Sequence, residues 1–201
     1  MNIMKTIQKL TYEDFLVQYA DTRAEWVDGE VIIFPSESAR HQDISDFLLC
    51  ILTIYVQSRS LGKVLAAPFQ IKLGPDLPGR EPDLLYVASD HLDRLKETYL
   101  DDPADMVVEI VSKKSIVRDR GEKFVDYETA GVSEYWLIDP LRQQAQFYRR
   151  GLDNYYHLIM PDDEGIYHSE VVKGFWLRVS WLWKEPLPPV LDVWKELNLL
   201  T

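Results

Sequence analysis

The segment from Ile44 to Val56 constrains the fold more than any other part of the sequence. Its apolar residues recur at i, i+3, i+4, i+7, i+8, i+11 and i+12, a spacing that places them on one face of an α-helix. Such a face has to be buried, so the sequence predicts a helix that packs on a sheet and ends at Gly62. The apolar residues are Ile44, Phe47, Leu48, Ile51, Leu52, Tyr55 and Val56.

Segments typical of β-strands lie on both sides of this helix. In EWVDGEVIIF, the pair Asp28-Gly29 separates two β-prone runs, which predicts a hairpin. A short helix is expected at 11–20, because Thr11 can cap it. The segment 90–105 is polar and acidic, and we expect it to be exposed. The other predicted elements are strands at 63–73 (with a break at Pro68), 83–87, 104–112, 134–139 and 174–183, a helix at 116–130, antiparallel strands at 145–150, 154–160 and 166–172, and a closing helix at 188–197.

The order of these elements predicts a mixed α/β (α+β) architecture. Helices flank a mixed β-sheet, and extra antiparallel strands lie at both ends. The length of 201 residues suits one domain. We therefore expect a single domain over 1–201, with an N-terminal hairpin at 24–34, a core at 41–140 and a C-terminal antiparallel extension at 144–201.

The composition is that of an ordinary globular protein, with 46% hydrophobic and 27% charged residues. No apolar run approaches the ~18 residues of a membrane helix. The N-terminal sequence MNIMKTIQKLTYEDF lacks the hydrophobic region of a signal peptide. Cys50 is the only cysteine, which excludes an intramolecular disulfide and a cysteine-based zinc site. We expect a cytoplasmic protein that does not associate with a membrane.

Two carboxylates stand in apolar strand segments. Glu109 lies within VVEIVSKKS, where burying an unpaired carboxylate costs on the order of several kcal/mol. Asp83 opens a short strand after Pro82. If the two strands are neighbours, both side chains converge and offer oxygen ligands to a hard cation such as magnesium. The alternative is that Asp83 satisfies a turn after Arg80 and that Glu109 pairs with a lysine or arginine of a neighbouring helix.

The charge distribution bears on nucleic-acid binding. A net charge of −11 counts against a protein that coats nucleic acid nonspecifically, because binding many phosphates needs a basic surface. It does not exclude an enzyme that meets DNA through a local basic patch beside a metal-filled acidic site. Such a basic stretch follows Glu109 and is predicted to bind phosphates, although it can equally be a solvated surface. Its residues are Lys113, Lys114, Arg118 and Arg120.

Three longer motifs resemble the Uma-two family of the PD-(D/E)xK, restriction-endonuclease-like superfamily. They are EPDLLYV, ADMVVEIVS and DRGEKFVDYETAGVSEYWLIDP, in which GVSEYWLIDP is the most specific stretch. AEWVDGEVI resembles the N-terminal hairpin of the family, and His41 with the helix after it resembles the first core helix. The resemblance covers most of the chain and is loose in its C-terminal part. It implies a restriction-endonuclease-like core.

The resemblance also implies a catalytic site. Asp83 and Glu109 would be catalytic residues that bind Mg²⁺ or Mn²⁺, with the carbonyl of Ile110 as a third ligand. In the superfamily as a whole a lysine follows two positions after the glutamate, but Val111 stands there in this chain. In families like this one the lysine lies on the following helix, where the matching residue is Lys123. The alternative is that Lys123 is a solvated helix lysine.

Glu25 is the fourth candidate catalytic residue. It matches an acidic position of the family hairpin, and it would complete the metal shell or bind a second ion. The alternative is an exposed strand glutamate beside Trp26. His41 is a weaker candidate, which either caps or orients its helix or takes a direct part in catalysis.

The leading hypothesis is a metal-dependent endonuclease or phosphodiesterase that acts on DNA, and the resemblance to the superfamily also implies a homodimer. One alternative, favoured by the acidic charge, is a non-catalytic protein on the same fold that serves binding or assembly. Another is a hydrolase that acts on a different phosphate-containing substrate. The aromatic residues of the C-terminal third either stack on bases or, as we favour, fill the core or a dimer interface. They are Tyr148, Tyr155, Tyr156, Trp176, Trp181 and Trp183.

Overall fold

The fold is seen in a computed structural model that describes residues 9–20, 22–33, 37–112 and 119–199. The α-helices are α1 (Tyr12–Gln18), α2 (Ala39–Ser58), α3 (Glu122–Ala130) and α4 (Val190–Glu196). The strands are β1 (Ala24–Val27), β2 (Glu30–Ile33), β3 (Gly62–Ala66), β4 (Gln70–Lys72), β5 (Gly79–Arg80), β6 (Leu84–Ala88), β7 (Tyr99–Asp101), β8 (Met106–Ile110), β9 (Glu134–Asp139), β10 (Gln144–Arg150), β11 (Tyr156–Ile159), β12 (Ile166–His168) and β13 (Trp176–Arg178). Two 3-10 helices span Ser89–Arg94 and Val179–Trp183.

A six-stranded mixed sheet forms the centre of the molecule, in the order β11-β10-β9-β8-β6-β3. Its middle strand β8 pairs in parallel with β9 and antiparallel with β6. A second sheet has the order β2-β1-β5-β4-β7, and β12 pairs with β13 in a small antiparallel sheet. The predicted fold class, a mixed sheet flanked by helices with extra antiparallel strands, is confirmed. The prediction of a single domain over 1–201 stays a prediction.

Helix α2 covers one face of the six-stranded sheet, as the periodicity predicts. All seven residues of the predicted apolar stripe are buried, and they pack with Tyr86, Val108 and Trp136 of the sheet. The helix ends at Ser58, earlier than expected, and Gly62 instead opens β3. A Cβ at Gly62 would collide with the carbonyl oxygen of Val87, so glycine serves strand pairing there.

The opposite face of the sheet packs against α3. Side chains alternate along a strand, so the neighbours of a residue that faces α2 point to the opposite face of the sheet. They include Leu85, Val107 and Val111, which form a core cluster with Tyr127 of α3. Glu109 follows the same alternation, so its carboxylate enters the layer between the sheet and α3. Helix α3 ends at Gly131, which has the expected left-handed conformation.

The N-terminal elements also follow their local signals. The side chain of Thr11 accepts a hydrogen bond from the N–H of Asp14 at 3.1 Å, which caps α1 as predicted. Strands β1 and β2 pair with only Asp28 and Gly29 between them. Both residues have positive φ, at 51° and 86°, as a two-residue hairpin turn of this kind requires.

Two segments differ from the sequence expectations. The alternating pattern at 174–183 predicts one strand, but β13 ends at Arg178 and a 3-10 helix follows, in which Trp181 is buried against the core. The segment 90–105 is not wholly exposed. It contains β7, which pairs with β4 at the edge of the second sheet and whose Leu100 is buried in the core cluster that includes Leu85 and Tyr127. The start of the helix predicted at 116–130 lies outside the described residues.

The C-terminal aromatic residues mostly serve packing. Tyr148 and Tyr156 contact Phe124 of α3, with ring centroids 4.9 Å and 5.2 Å apart. Trp176 lies 5.4 Å from Trp181 by the same measure. Tyr155, by contrast, is exposed. In the described part of the chain, no helix has the length and apolar character needed to cross a membrane.

Candidate active site

Asp83 and Glu109 face each other across two neighbouring strands. Strands β6 and β8 pair with Leu84 opposite Val108, and one further step in this antiparallel register places Asp83 opposite Glu109. Directly opposite residues project onto the same face of a sheet. The N–H of Ile110 donates a 2.7 Å hydrogen bond to Oδ2 of Asp83, which fixes the two strand ends together. Both carboxylates are buried and belong to one site.

The Asp83 carboxylate is surrounded by groups that stabilise its charge. Nη2 of Arg23 donates to Oδ1 at 2.6 Å, and Nε2 of His41 lies 3.2 Å from Oδ2. Burial alone would raise the pKa of Asp83, but His41, Arg23 and the N–H of Ile110 outweigh burial and lower this pKa below its ordinary value. Asp83 is therefore a carboxylate anion at neutral pH. Burial lowers the pKa of His41, but Asp83 reverses this and raises it overall.

The Glu109 carboxylate meets the side chains of α3. Nζ of Lys123 and the hydroxyl of Tyr127 both donate to Oε1 of Glu109, at 2.8 Å and 2.7 Å. Residues four apart share one face of a helix, which explains why both reach the same oxygen. Burial raises the pKa of Glu109, Lys123 lowers it, and the carboxylates of Asp119, Asp83 and Glu25 raise it again, so that the net pKa is about 8. Glu109 thus holds a proton more tightly than an ordinary glutamate.

Lys123 is shared among several carboxylates. Besides Glu109, its Nζ lies 2.9 Å from Oε1 of Glu25 and 3.6 Å from Oδ1 of Asp119. Burial lowers the pKa of Lys123, but these three carboxylates reverse the effect and raise it above its ordinary value. The amine is buried and charged, so the alternative of a solvated helix lysine is excluded. The structure thus brings together the predicted residues Asp83, Glu109, Lys123 and Glu25.

Arg80 and Glu81 belong to the site, although sequence reasoning did not select them. Nη1 of Arg80 donates to Oε2 of Glu25 at 2.9 Å, and the same guanidinium bonds Asp126 of α3. Glu81 accepts from Gln70 at 2.8 Å, and burial raises its pKa to about 7. The available signal was GREPD, in which two charged residues directly precede Pro82 and Asp83 in the turn before a buried strand.

Arg23 was also missed. It stands two positions before Glu25, and residues i and i+2 of an extended segment point to the same side. Its guanidinium bonds Asp83 and lies 3.5 Å from Oε1 of Glu81 and 3.9 Å from Oε1 of Glu37. A basic residue two positions before a candidate acidic ligand was the signal that could have identified it.

The predicted basic stretch is only partly described. Lys113, Lys114 and Arg118 lie outside the described residues. The guanidinium of Arg120 donates to Oδ2 of the buried Asp139 at 2.9 Å and to Gln146 at 2.6 Å. This arginine therefore stabilises the end of β9, and its binding to nucleic acid stays a prediction.

The donor chemistry of the site fits a hard divalent cation, since Asp83 and Glu109 supply carboxylate oxygens on adjacent strands. As arranged, the residues at 9–20, 22–33, 37–112 and 119–199 hold no group of three or more His, Cys, Asp or Glu that could hold a metal ion. Cations of the protein itself contact both carboxylates. Arg23 engages Oδ1 of Asp83, and Lys123 engages Oε1 of Glu109.

The fold and this paired-carboxylate site agree with the nuclease-like class that the family model indicates. The chain is similar to the crystal structure of a "putative nuclease belonging to DUF820" from Anabaena variabilis ATCC 29413, with a TM-score of 0.72 and 16% sequence identity. The similarity covers 87% of this chain and 97% of that chain, so the two share a fold. The sequence model of the Uma2 family, described as "Putative restriction endonuclease", matches residues 11–180, and the chain belongs to this family. No curated protein matches the chain. The resemblance seen in the sequence is confirmed.

Proposed function

We propose that this protein is a metal-dependent phosphodiesterase that cleaves DNA. The observation that carries the proposal is the 2.8 Å contact between Lys123 and Glu109, in a buried site where Asp83 lies at the start of the adjacent strand β6. This contact supplies an amine close to the carboxylates although Val111 occupies the usual position of the lysine. Membership in the Uma2 family supports the same function.

Asp83 and Glu109 would hold Mg²⁺ or Mn²⁺, with the carbonyl of Ile110 as a further ligand. Such an ion, when bound, polarises a phosphate oxygen and lowers the pKa of a bound water. The chain itself contributes a fixed positive charge, because the carboxylates around Lys123 keep its amine protonated. That charge would stabilise the negative charge that develops on the phosphate.

Glu25 has a positioning role in this proposal. It holds Nζ of Lys123 at 2.9 Å, and Arg80 holds the other oxygen of Glu25 at 2.9 Å. This chain of buried ion pairs orients the Lys123 amine toward Glu109. A preorganised charge of this kind avoids reorganisation during the reaction.

The test is cleavage of supercoiled plasmid DNA by the purified chain with magnesium or manganese. We expect nicking that is lost in Asp83→Ala and in Lys123→Ala. Matched controls are Asp192→Ala and Lys195→Ala, which alter an exposed Asp–Lys pair on α4 with a 3.1 Å contact. These should cleave like the unmodified chain. Cleavage that persists in both site variants would contradict the proposal.

A second candidate is a non-catalytic protein that uses the same fold for binding or assembly. The pairing of Asp83 and Glu109 with Arg23 and Lys123 favours it, because the ion pairs neutralise the carboxylates without a metal. The net charge of −11 favours it as well. Calorimetric titration with magnesium distinguishes the two. Binding that Glu109→Ala leaves unchanged, or no binding at all, supports this second candidate.

We also propose that the chain forms a homodimer. We propose a cytoplasmic location as well, because the chain has a single cysteine. Strand β11 is the last strand of the six-stranded sheet, and large apolar side chains are exposed on and beside it. An edge strand of this kind favours pairing with another chain. Sedimentation velocity should show a dimer, and the Leu158→Glu variant should dimerise more weakly. A chain that stays monomeric at high protein concentration would contradict the proposed homodimer. The exposed side chains are Leu152, Tyr155, Leu158 and Met160.

A further inference from the structure

Arg23 occupies an unusual position at the rim of the candidate site. Its guanidinium contacts Asp83 at 2.6 Å and lies within 3.9 Å of both Glu81 and Glu37. The Arg23 side chain is 30% exposed, whereas the side chains of Asp83 and Glu81 are 5% and 1% exposed. Arg23 therefore lies between the buried carboxylates and solvent.

The two oxygens of Asp83 differ in how firmly they are held. Oδ2 accepts from the N–H of Ile110, which is part of the sheet, and it also contacts His41 at the start of α2. Oδ1 has Arg23 as its hydrogen-bond partner, through a long and partly exposed side chain. The Arg23 guanidinium can therefore leave Oδ1 without disturbing the sheet or α2.

A divalent cation and the Arg23 guanidinium make competing demands on Asp83. Both need the same carboxylate charge, and two cations close together repel each other in a site with little solvent. Phosphate offers the guanidinium an alternative partner, since its paired N–H groups match phosphate oxygens as well as carboxylate oxygens. A DNA phosphate near the site would thus attract Arg23 and release Oδ1.

We infer that Arg23 is an internal counter-ion that competes with the divalent cation for Asp83 and moves to a DNA phosphate when substrate binds. This inference rests on the proposed function, because it assigns Arg23 to substrate binding at the same site. It makes cation binding and phosphate binding mutually reinforcing, because each removes an obstacle to the other. It also assigns a phosphate contact outside the basic stretch expected from the sequence.

The first test is calorimetric titration of the chain with Mn²⁺ in the absence of DNA. Removing the competing charge in Arg23→Gln should tighten Mn²⁺ binding by about tenfold or more, since a neighbouring charge alters the occupancy of an ionisable site by at least this factor. Arg23→Lys keeps the charge and should bind Mn²⁺ nearly as the unmodified chain does. Arg178→Gln is the matched control, because Arg178 is 33% exposed, pairs with one glutamate and lies on β13.

The outcomes separate this inference from the proposed function. Tighter binding in Arg23→Gln, with Arg178→Gln unchanged, supports the inference. Equal or weaker binding in Arg23→Gln overturns the inference and leaves the proposed function intact. If neither the unmodified chain nor Arg23→Gln binds Mn²⁺, both fail. Circular dichroism confirms that each variant is folded, and if Arg23→Gln is not folded, Arg23→Met, which also removes the charge, carries the comparison.

The second test measures the phosphate contact directly. The affinity for a short DNA duplex is measured with Ca²⁺ at several salt concentrations. Loss of one phosphate contact should reduce the slope of log affinity against log salt by about 1 in Arg23→Gln. Arg178→Gln should keep the full slope. An unchanged slope in Arg23→Gln overturns the assignment of Arg23 to a phosphate.

Discussion

Asp83, directly before β6, lies opposite Glu109 of β8, yet the surroundings of the two carboxylates affect them in opposite directions. In the Asp83 half of the site, consisting of Arg23, His41 and Asp83, one carboxylate contacts an arginine and a histidine side chain and also accepts from the N–H of Ile110. The Glu109 half, consisting of Glu25, Glu109, Asp119, Lys123 and Tyr127, has one amine for three carboxylates. The pKa of Asp83 is accordingly lowered, and that of Glu109 is raised.

This difference shows that burial alone does not decide the charge of a carboxylate. Both groups lose solvent to a similar extent, and desolvation raises both pKa values. What separates them is the ratio of donors to acceptors nearby. Asp83 is therefore an anion that a ligand can use, whereas the negative charge of Glu109 depends on the nearby amine of Lys123.

Removing the shared amine should have the largest effect on stability. Lys123→Met leaves Glu25, Glu109 and Asp119 without their common cation, and breaking a buried ion pair on one side costs about 3–5 kcal/mol. Urea denaturation measures this loss. Lys195→Met, at an exposed lysine of α4, should change the free energy of unfolding by less than about 0.5 kcal/mol. A loss below about 1 kcal/mol in Lys123→Met would show that the Glu109 half does not depend on this amine.

Neutralising the two carboxylates in turn should separate the two halves. Asp83→Asn removes an anion that Arg23 and His41 stabilise, and we expect a loss of about 1–3 kcal/mol. Glu109→Gln resembles the protonated form that the raised pKa favours, so its cost should be below about 1 kcal/mol. Both values come from urea denaturation without divalent cations. Equal losses of stability in the two variants would contradict the proposed difference between the Asp83 half and the Glu109 half.

The pH dependence of stability should follow the groups whose pKa is raised. Glu81 and Glu109 have pKa values of about 7 and 8, so the folded chain binds their protons more tightly than the unfolded chain, and stability falls as pH rises from about 5 to 8. The raised pKa of His41 acts in the same direction. Asp83 has a lowered pKa, so its contribution to stability is lost only as the pH falls below the ordinary pKa of an aspartate.

Thermal unfolding with a chelator at pH 5, 6, 7 and 8 measures this dependence. Glu81→Gln should make the decline of the melting temperature with pH less steep. Glu170→Gln, at an exposed glutamate that pairs with Arg149, should leave the decline unchanged. A melting temperature that rises from pH 5 to pH 8 is the result that would refute the assignment.

The smallest expected effect comes from the hydroxyl of Tyr127. Tyr127→Phe removes one 2.7 Å hydrogen bond to Glu109 and leaves the ring in its core cluster, which predicts a loss of about 1 kcal/mol. Tyr156→Phe is a suitable comparison, because its hydroxyl donates to a backbone carbonyl instead of a carboxylate. A larger loss of stability in Tyr156→Phe than in Tyr127→Phe would show that a carboxylate partner does not make the hydrogen bond of Tyr127 more stabilising.

Local signals account for the parts of the fold that were predicted correctly. The stripe from Ile44 to Val56 defines α2, and the pair Asp28-Gly29 defines the hairpin, because helix periodicity and turn geometry involve residues close in sequence. The strand predicted at 174–183 failed because the same alternation continues where the chain leaves β13 for a 3-10 helix. That change depends on packing against the core, which alternation does not encode.

The sequence by itself determined the candidate carboxylates, the family and the expectation that Lys123 replaces the lysine missing at Val111. The tertiary structure alone decided which cations meet those carboxylates. Arg23 lies 60 positions from Asp83 in the chain, and Arg80 lies 55 positions from Glu25. Contacts over such separations arise when strands of different segments pair, and they set the pKa of each buried group. For this reason the charge state of the site became visible only in the folded chain.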